Sequence, residues 1–440
     1  MDGAPFSMVD KPLKMKGDEN DVFRRPPADE ARDGFVSNLK GCPLTLSGHD
    51  IVCLASASWD AMWVNAQHLM HRLAPENRIL YVNNLGLRPP GASRGDLAKI
   101  KKRVGEWFGG TIAVEQNLWT VSPVGLPLHG AKSVRAFNEW NLARSLRRHA
   151  GALGFGTPIL WTFLPLGAGV IGKLDESLVV YHCVDDYAAN PGVPEREIRA
   201  MEDRLLEKAD LMIATNPVLY AERKHKTKNA VYLGNVADVA HFLPRAGRRV
   251  PAALAKLPRP IIGYHGNISG YKTDLKLIGE VAKAFPTGSV VLVGPVGWGD
   301  PHTDVAELQR LGNVHFIGRV AYDVLPEYVA AFDVAILPLN DNESTQRSFP
   351  MKFYEYMASG KAIVARDLPA FADYRERPEL CRLASDAPTF VSAIREARDG
   401  AEDIVAARIA AAKRHSWEVR TAQIGDLVTQ ALAAKGKAKT

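Results

Sequence analysis

The stretch DVAILPLNDNESTQRSFPMKFYEYMASGKAIVA, residues 333–365, decides the fold. It opens on an apolar run, Asp333 to Leu339, short enough and rich enough in branched side chains for a buried strand. SFPMKFYEYMASGK (348–361) follows as a helix, and residues 362–365 form a second apolar run. A strand, a helix and a second strand in close succession make the crossover that pairs parallel strands. Pro350 suits the first helical position, where its missing N–H has no partner to lose. Lys352 then falls in the first turn, where the positive end of the helix dipole disfavours a cation unless an anion lies beside it. A phosphate supplies that anion, because the free N–H groups of a helix start point at it. Glu355, three residues on and on nearly the same face, can accept hydrogen bonds from hydroxyl groups beside the phosphate. An exposed Lys-Glu surface pair is the plainer alternative, and the local sequence leaves both open.

The alternation extends in both directions. Upstream lie the strand-like runs IVCLAS (51–56), ILYVNN (79–84), LWTVSPV (118–124), PILWTFL (158–164), SLVVYHCVDDY (177–187), DLMIATN (210–216) and NAVYLGN (229–235), with helical runs such as 63–74 and 196–210 between them. PIIGYHGN (260–267), SVVLVGP (289–295) and VHFIG (314–318) restart the pattern. Strands alternating with helices predict an α/β chain with parallel sheets covered on both faces. Two tandem Rossmann-like domains account for it, 46–245 and 259–415, joined by a Pro- and Arg-rich linker at 246–258. Residues 416–440 read as a C-terminal helix with a basic tail that crosses back to the first domain.

Length and composition fit this division. At 440 residues the chain exceeds one typical core, and 46% hydrophobic with 24% charged residues is ordinary for a globular protein. Residues 1–45 are rich in charge, Pro and Gly without an apolar face, and read as a disordered extension. They lack the apolar core of a signal peptide, and no apolar run reaches the ~20 residues of a membrane span, so a cytoplasmic place is expected. Cys42, Cys53, Cys183 and Cys381 stand far apart with no ligand spacing, which argues against a zinc site or disulfide framework. The net charge of +6 permits anionic lipids, phosphorylated substrates or nucleic acid as partners. No nucleic-acid motif accompanies it.

Ligands of doubly wound domains bind beyond the carboxyl ends of the strands. His265, Gly266 and Asn267 follow PIIGY there, Gly294 and Pro295 follow VVLV, and Gly318 and Arg319 follow VHFI. Together they mark one rim of the second domain. Glycines at such ends allow backbone N–H groups close to a ligand, and equally make ordinary sharp turns.

These residues carry a resemblance. GYHGNIS, NVHFIGRV, DVAILPL and PMKFYEYMASGKAIVA resemble the donor domain of GT-B glycosyltransferases, the group 1 type that includes family 4, and HSWEVR (415–420) is similar to the close of those enzymes. The resemblance covers most of residues 255–425. It implies a cleft between the two domains and a sugar transferred from a nucleotide-sugar donor to an acceptor held mainly by the first. It implies that Lys352 neutralises the donor diphosphate, Glu355 binds the ribose, Arg319 and Val320 lie near the base or phosphates, and Gly266 and Asn267 approach the diphosphate from the other side. His265 joins them at the rim. No cofactor and no metal are implied, since a helix dipole and basic residues neutralise the leaving group. The scattered His182, His265 and His415 show no metal spacing. The family's second acid, eight positions before the ribose glutamate, is replaced here by Arg347, with Asp341 and Glu343 just upstream, so retaining stereochemistry is not implied.

In the first domain, Asp60 of ASASWDAMWVNAQHLMHRLA (55–74) is the acid nearest the first strand end; the SWD opening resembles a subset of glycosyltransferases in which this loop faces the cleft, which implies a general base toward an acceptor hydroxyl in an inverting reaction, and a helix cap or first-turn acid is its ordinary alternative. Asp185 and Asp186 of HCVDDY sit at another strand end, either holding acceptor hydroxyls or forming a solvated turn. RGDLAKIKKRVGEWF (94–108) sets an apolar stripe among Lys99, Lys101, Lys102 and Arg103, which suits an anionic membrane surface or a helix packed on its own domain. The basic run 134–151 adds a second patch. The expected partners are a nucleotide sugar and a lipid-linked or glycan acceptor, with a peripheral place on the inner membrane face. A nucleotide-sugar epimerase of the same fold and a degenerate transferase acting as a partner subunit are the alternatives.

Overall fold

The computed structural model describes residues 45–83, 110–123, 132–190, 192–397 and 402–437. The extension at 1–44 and the basic helix at 94–108 lie outside the described residues. The first domain holds eight strands, β1 (Asp50–Leu54), β2 (Arg78–Val82), β3 (Ile112–Glu115), β4 (Leu118–Val121), β5 (Ile159–Thr162), β6 (Leu178–Cys183), β7 (Leu211–Ala214) and β8 (Ala230–Tyr232). They form one sheet in the order β3-β4-β2-β1-β5-β6-β7-β8, parallel except for the β3–β4 pair. The second domain holds β9 (Ile261–His265), β10 (Ser289–Val293), β11 (Val314–Gly318), β12 (Val334–Leu337), β13 (Ala362–Arg366) and β14 (Arg382–Ala384), all parallel, in the order β11-β10-β9-β12-β13-β14. The strand order reverses at β1/β5 in one sheet and β9/β12 in the other, and a crevice opens at the carboxyl ends there.

The helices that matter for the site are α1 (Asn65–Leu73), α2 (Lys132–Ala152), α3 (Glu195–Lys208), α4 (Pro217–Arg223), α5 (Lys352–Ala358), α6 (Glu402–Lys413) and α7 (Trp417–Lys437). α5 starts two residues later than its proline implies. Pro350 opens a preceding tight turn, with Phe353 N–H donating to Pro350 O at 3.1 Å and Tyr354 N–H to Met351 O at 3.0 Å. Those two N–H groups are thereby taken. The helix buries Phe353, Tyr356 and Met357 in the second core. The chain then crosses back as expected: Ala411 and Ala412 of α6 belong to the second core, whereas Trp417, Ile424 and Val428 of α7 belong to the first. Trp417 stacks on His68 at 5.3 Å, and Glu418 takes Arg72 of α1 at 2.9 Å. Val239, Phe242 and Leu254 also pack in the second core, which therefore draws in residues well before 259. No described helix is long and apolar enough to cross a membrane.

Two imidazoles, His182 buried and His415 half-buried, should make the fold sensitive to acid. His182, on the fully buried β6, stacks on Phe163, and burial together with Arg420 pushes it down to about 3. His415 stacks on Tyr354 at 4.3 Å and is lowered to about 4, by burial first and then Arg420 and Arg414. A group with a lowered folded pKa contributes stability above its unfolded value, near 6.5 for histidine, and loses it as pH falls toward the folded value. Each should cost about 2 kcal/mol between pH 7 and pH 5. Denaturant midpoints at the two pH values should show this loss, and His182→Phe, which removes one of the two groups, should shrink it. An equal loss in wild type and variant would contradict the assignment.

Candidate functional site

Lys352, the first residue of α5, turns back toward the end of β9. Its Nζ donates to the Tyr264 hydroxyl at 2.9 Å and lies 4.3 Å from the centre of that ring. Gly266, with φ at +124°, passes so close that a Cβ there would collide with Lys352 Nζ. The positive φ is what calls for glycine here, and a Cβ would in addition push the flexible end of Lys352 aside. Gly294, at the end of β10 with φ at +142°, is constrained likewise, because a Cβ there would strike the Gly266 carbonyl.

Glu355, one turn along α5, is 7% exposed and places Oε2 3.0 Å from His265 Nε2. The His265 ring is buried between Phe242 and Tyr356, and its backbone N–H donates to the Tyr356 hydroxyl at 2.8 Å. Burial holds this imidazole below its ordinary pKa, against the pull of Glu355. The rim residues converge on one mostly apolar pocket. His265, Gly266, Asn267, Gly294, Arg319 and Val320 line it, and sequence reasoning missed Met62 and Trp298 beside them. Asn267 locks the Trp298 loop by donating to Trp298 O at 2.7 Å and accepting from Trp298 N–H at 3.2 Å. The Arg319 guanidinium lies 5.4 Å from the Trp298 ring centre.

Met62 belongs to the β1–α1 loop of the first domain, so the Asp60 loop reaches the pocket. Asp60 is exposed, two residues before Met62. It is neither a cap nor a first-turn acid. α1 begins five residues later, capped by Val64, whose N–H donates to Gln67 Oε1 at 3.1 Å. The loop is instead pinned by Trp59 N–H to Asn83 and by Trp59 packing on Tyr81.

The two aspartates of HCVDDY separate. Asp185 faces the cleft, 3.5 Å from Lys272 Nζ of the second domain, and raises the pKa of that lysine. Asp186 is neither a solvated turn acid nor open to an acceptor, for it is 1% exposed with Arg199, Arg223 and Arg347 each at 3.5 Å. Burial of a carboxylate demands such cations. Arg347, at the place of the family acid, also takes Glu222 of α4 at 2.7 Å and Glu343 at 2.9 Å. Glu343 pairs with Arg199 as well, and Asp341 accepts from Gln346 Nε2 at 2.7 Å, so both candidate substitute acids are engaged. Lys272 and Asn216 were missed because a lone lysine in a loop and an Asn before Pro217 signal only local structure. Asn216 caps α4 and also donates to Gln346 O and Ser348 O across the cleft. Among the described residues, no group of three or more His, Cys, Asp or Glu side chains is placed to hold a metal ion.

Residues 259–399 match the family model described as glycosyl transferases group 1. The putative teichuronic acid biosynthesis glycosyltransferase TuaH of Bacillus subtilis is 29% identical over 206 residues, which cover 44% of this chain and 51% of TuaH. The chain thus spans about half the length of that curated relative. Among solved structures, the sucrose-phosphate synthase of Thermosynechococcus elongatus superposes with a TM-score of 0.64 at 20% identity, covering 88% of this chain and all of the other. Anabaena HepE in complex with UDP-glucose gives 0.62 at 15% identity, covering 87% and all respectively. At these identities the likeness shows the fold. The arrangement of two Rossmann-like sheets with a cleft between them is the GT-B fold of these solved structures, and residues 259–399 are similar to the group 1 glycosyl transferases.

Proposed function

We propose that this protein is a glycosyltransferase of polysaccharide biosynthesis, moving a sugar from a nucleotide-sugar donor to a lipid-linked or glycan acceptor. The observation that carries this is the convergence on one pocket of His265, Gly266, Asn267, Arg319 and Val320, with Lys352 against Gly266 and Glu355 against His265. An apolar pocket edged by the Arg319–Trp298 stack suits a planar base. The Glu355 carboxylate suits ribose hydroxyls, and Lys352 suits the diphosphate. The lysine's hydrogen-bond partner is a tyrosine hydroxyl and not a carboxylate, which leaves its ammonium to an incoming anion. In the reaction the bond from the sugar C1 to the diphosphate oxygen breaks as the acceptor oxygen bonds C1. The acceptor proton passes to Asp60, and the leaving diphosphate keeps the electron pair, its charge balanced by Lys352. HepE was solved with UDP and with UDP-glucose, which supports a nucleotide sugar as ligand for the same fold. An acceptor at the inner face of the membrane completes the proposal.

A second reading has Arg347 in its favour. With a guanidinium where the family has an acid, the chain can bind a nucleotide sugar as a partner subunit without transferring it. Wild type that binds a nucleotide sugar yet glycosylates neither glycan nor lipid-linked acceptors would support that reading over transfer.

Lys352→Ala and Glu355→Ala should each weaken nucleotide-sugar affinity by about 1.5 to 3 kcal/mol, roughly ten- to a hundredfold, with the fold intact by circular dichroism. Calorimetric titrations in which both variants match wild type would sink the donor assignment. Asp60→Asn should lower kcat roughly 10²- to 10⁴-fold while leaving nucleotide-sugar affinity in place. An undiminished rate would remove Asp60 as the base.

A further inference from the structure

α2 carries apolar residues on two opposite faces. Leu142, Leu146 and Ala150 are buried in the first domain's core. Phe137 and Trp140 stand in solvent, 47% and 55% exposed, with their ring centres 6.1 Å apart. Ser133, Phe137, Trp140, Arg144, Arg147 and Arg148 are all exposed and spaced by three or four residues, so they form one stripe along the helix. The Arg144 guanidinium lies 5.7 Å from the Trp140 ring centre, joining the aromatic half of the stripe to the arginine half.

The charge of this surface is one-sided. The helix holds five Lys and Arg residues against one acid, Glu139, and that carboxylate is taken by Arg204 of α3 at 2.7 Å. Arginines near a helix C-terminus complement the dipole, which explains their presence but not the two exposed rings beside them. A helix whose buried face is already complete gains nothing in folding from a second large apolar pair, and such exposed patches mark contact sites. Large aromatics with arginines on one helical face match a membrane interface, where rings settle at the headgroup level and guanidiniums meet lipid phosphates.

The patch also lies at the working edge of the domain. α2 leads into β5 and so runs antiparallel to it, which puts the N-terminal half of the helix level with the carboxyl ends of the strands. Glu139 packs against Gly169, in the turn just beyond β5, so tightly that a Cβ at Gly169 would overlap it. Phe137 and Trp140 therefore flank the side on which the cleft opens.

We propose that the Phe137–Trp140–Arg144 face of α2 docks the protein on an anionic lipid bilayer. The docking stands on this surface alone; that it presents a lipid-linked acceptor to the cleft rests on the transferase reading above.

Flotation of the full chain with phosphatidylcholine vesicles, with and without phosphatidylglycerol, tests it. Wild type should float only with the anionic vesicles. Phe137→Ala/Trp140→Ala should lower partitioning roughly tenfold or more, and Arg144→Gln/Arg148→Gln about 25-fold, near fivefold per charge. Both double variants should keep wild-type thermal stability and nucleotide-sugar affinity, so that loss of docking is separate from any failure of the donor site. Equal flotation with neutral vesicles, variants that float like wild type, or a wild type that stays in solution as a dimer through this face would each overturn the proposal.

Discussion

Asn216 is the joint on which the cleft depends. The residue is fully buried, and each end of its amide does a different job. Oδ1 accepts from Val218 and Leu219 N–H and so starts α4, while Nδ2 donates to the carbonyls of Gln346 and Ser348 at 3.1 Å each. Asn235 adds a bond to Phe349 O at 2.9 Å, and Met351 packs against the first domain's core. The segment that leads into Lys352 is thus held by the opposite domain. Losing the amide would remove a donor from two half-buried carbonyls, at about 0.5 to 1.5 kcal/mol for each. The position of Lys352 over the end of β9 is in this sense set by both domains together.

The ionic cluster beside the joint works the same way. Asp186, Glu222, Glu202 and Glu343 are interleaved with Arg199, Arg223 and Arg347, and the network runs from α3 and α4 to the loop before α5. Pairing of this kind offsets desolvation rather than adding much net stability, so its main effect is to fix geometry. Arg347 belongs to this cluster. A guanidinium there ties the domains together, where an acid would face the carboxylates of Asp186, Glu222 and Glu343.

Much of this was legible in the sequence. Apolar runs of strand length alternating with helical stretches gave both sheets, and the rim glycines with Lys352 and Glu355 marked the strand ends that meet. The C-terminal crossing was also readable from its length. The rest depended on contacts between distant segments. Nothing local in TNP tells that Asn216 reaches Gln346 and Ser348, and nothing in DDY separates an Asp185 facing Lys272 from an Asp186 buried among three arginines. Met62 and Trp298 escaped because single exposed apolar residues are common on any surface. Pro350 placed the helix start two residues early, because the tight turn it opens resembles a first helical turn in sequence.

The proposed transferase requires that the pocket between His265, Gly266 and Arg319 hold a nucleotide sugar with its diphosphate at Lys352. Thermal melting of wild type and Lys352→Glu against a panel of nucleotide sugars tests it most directly, since a ligand that binds the native state raises its apparent stability. At least one nucleotide sugar should raise the wild-type Tm and leave Lys352→Glu unmoved. A panel that shifts neither protein, or shifts both alike, would contradict it.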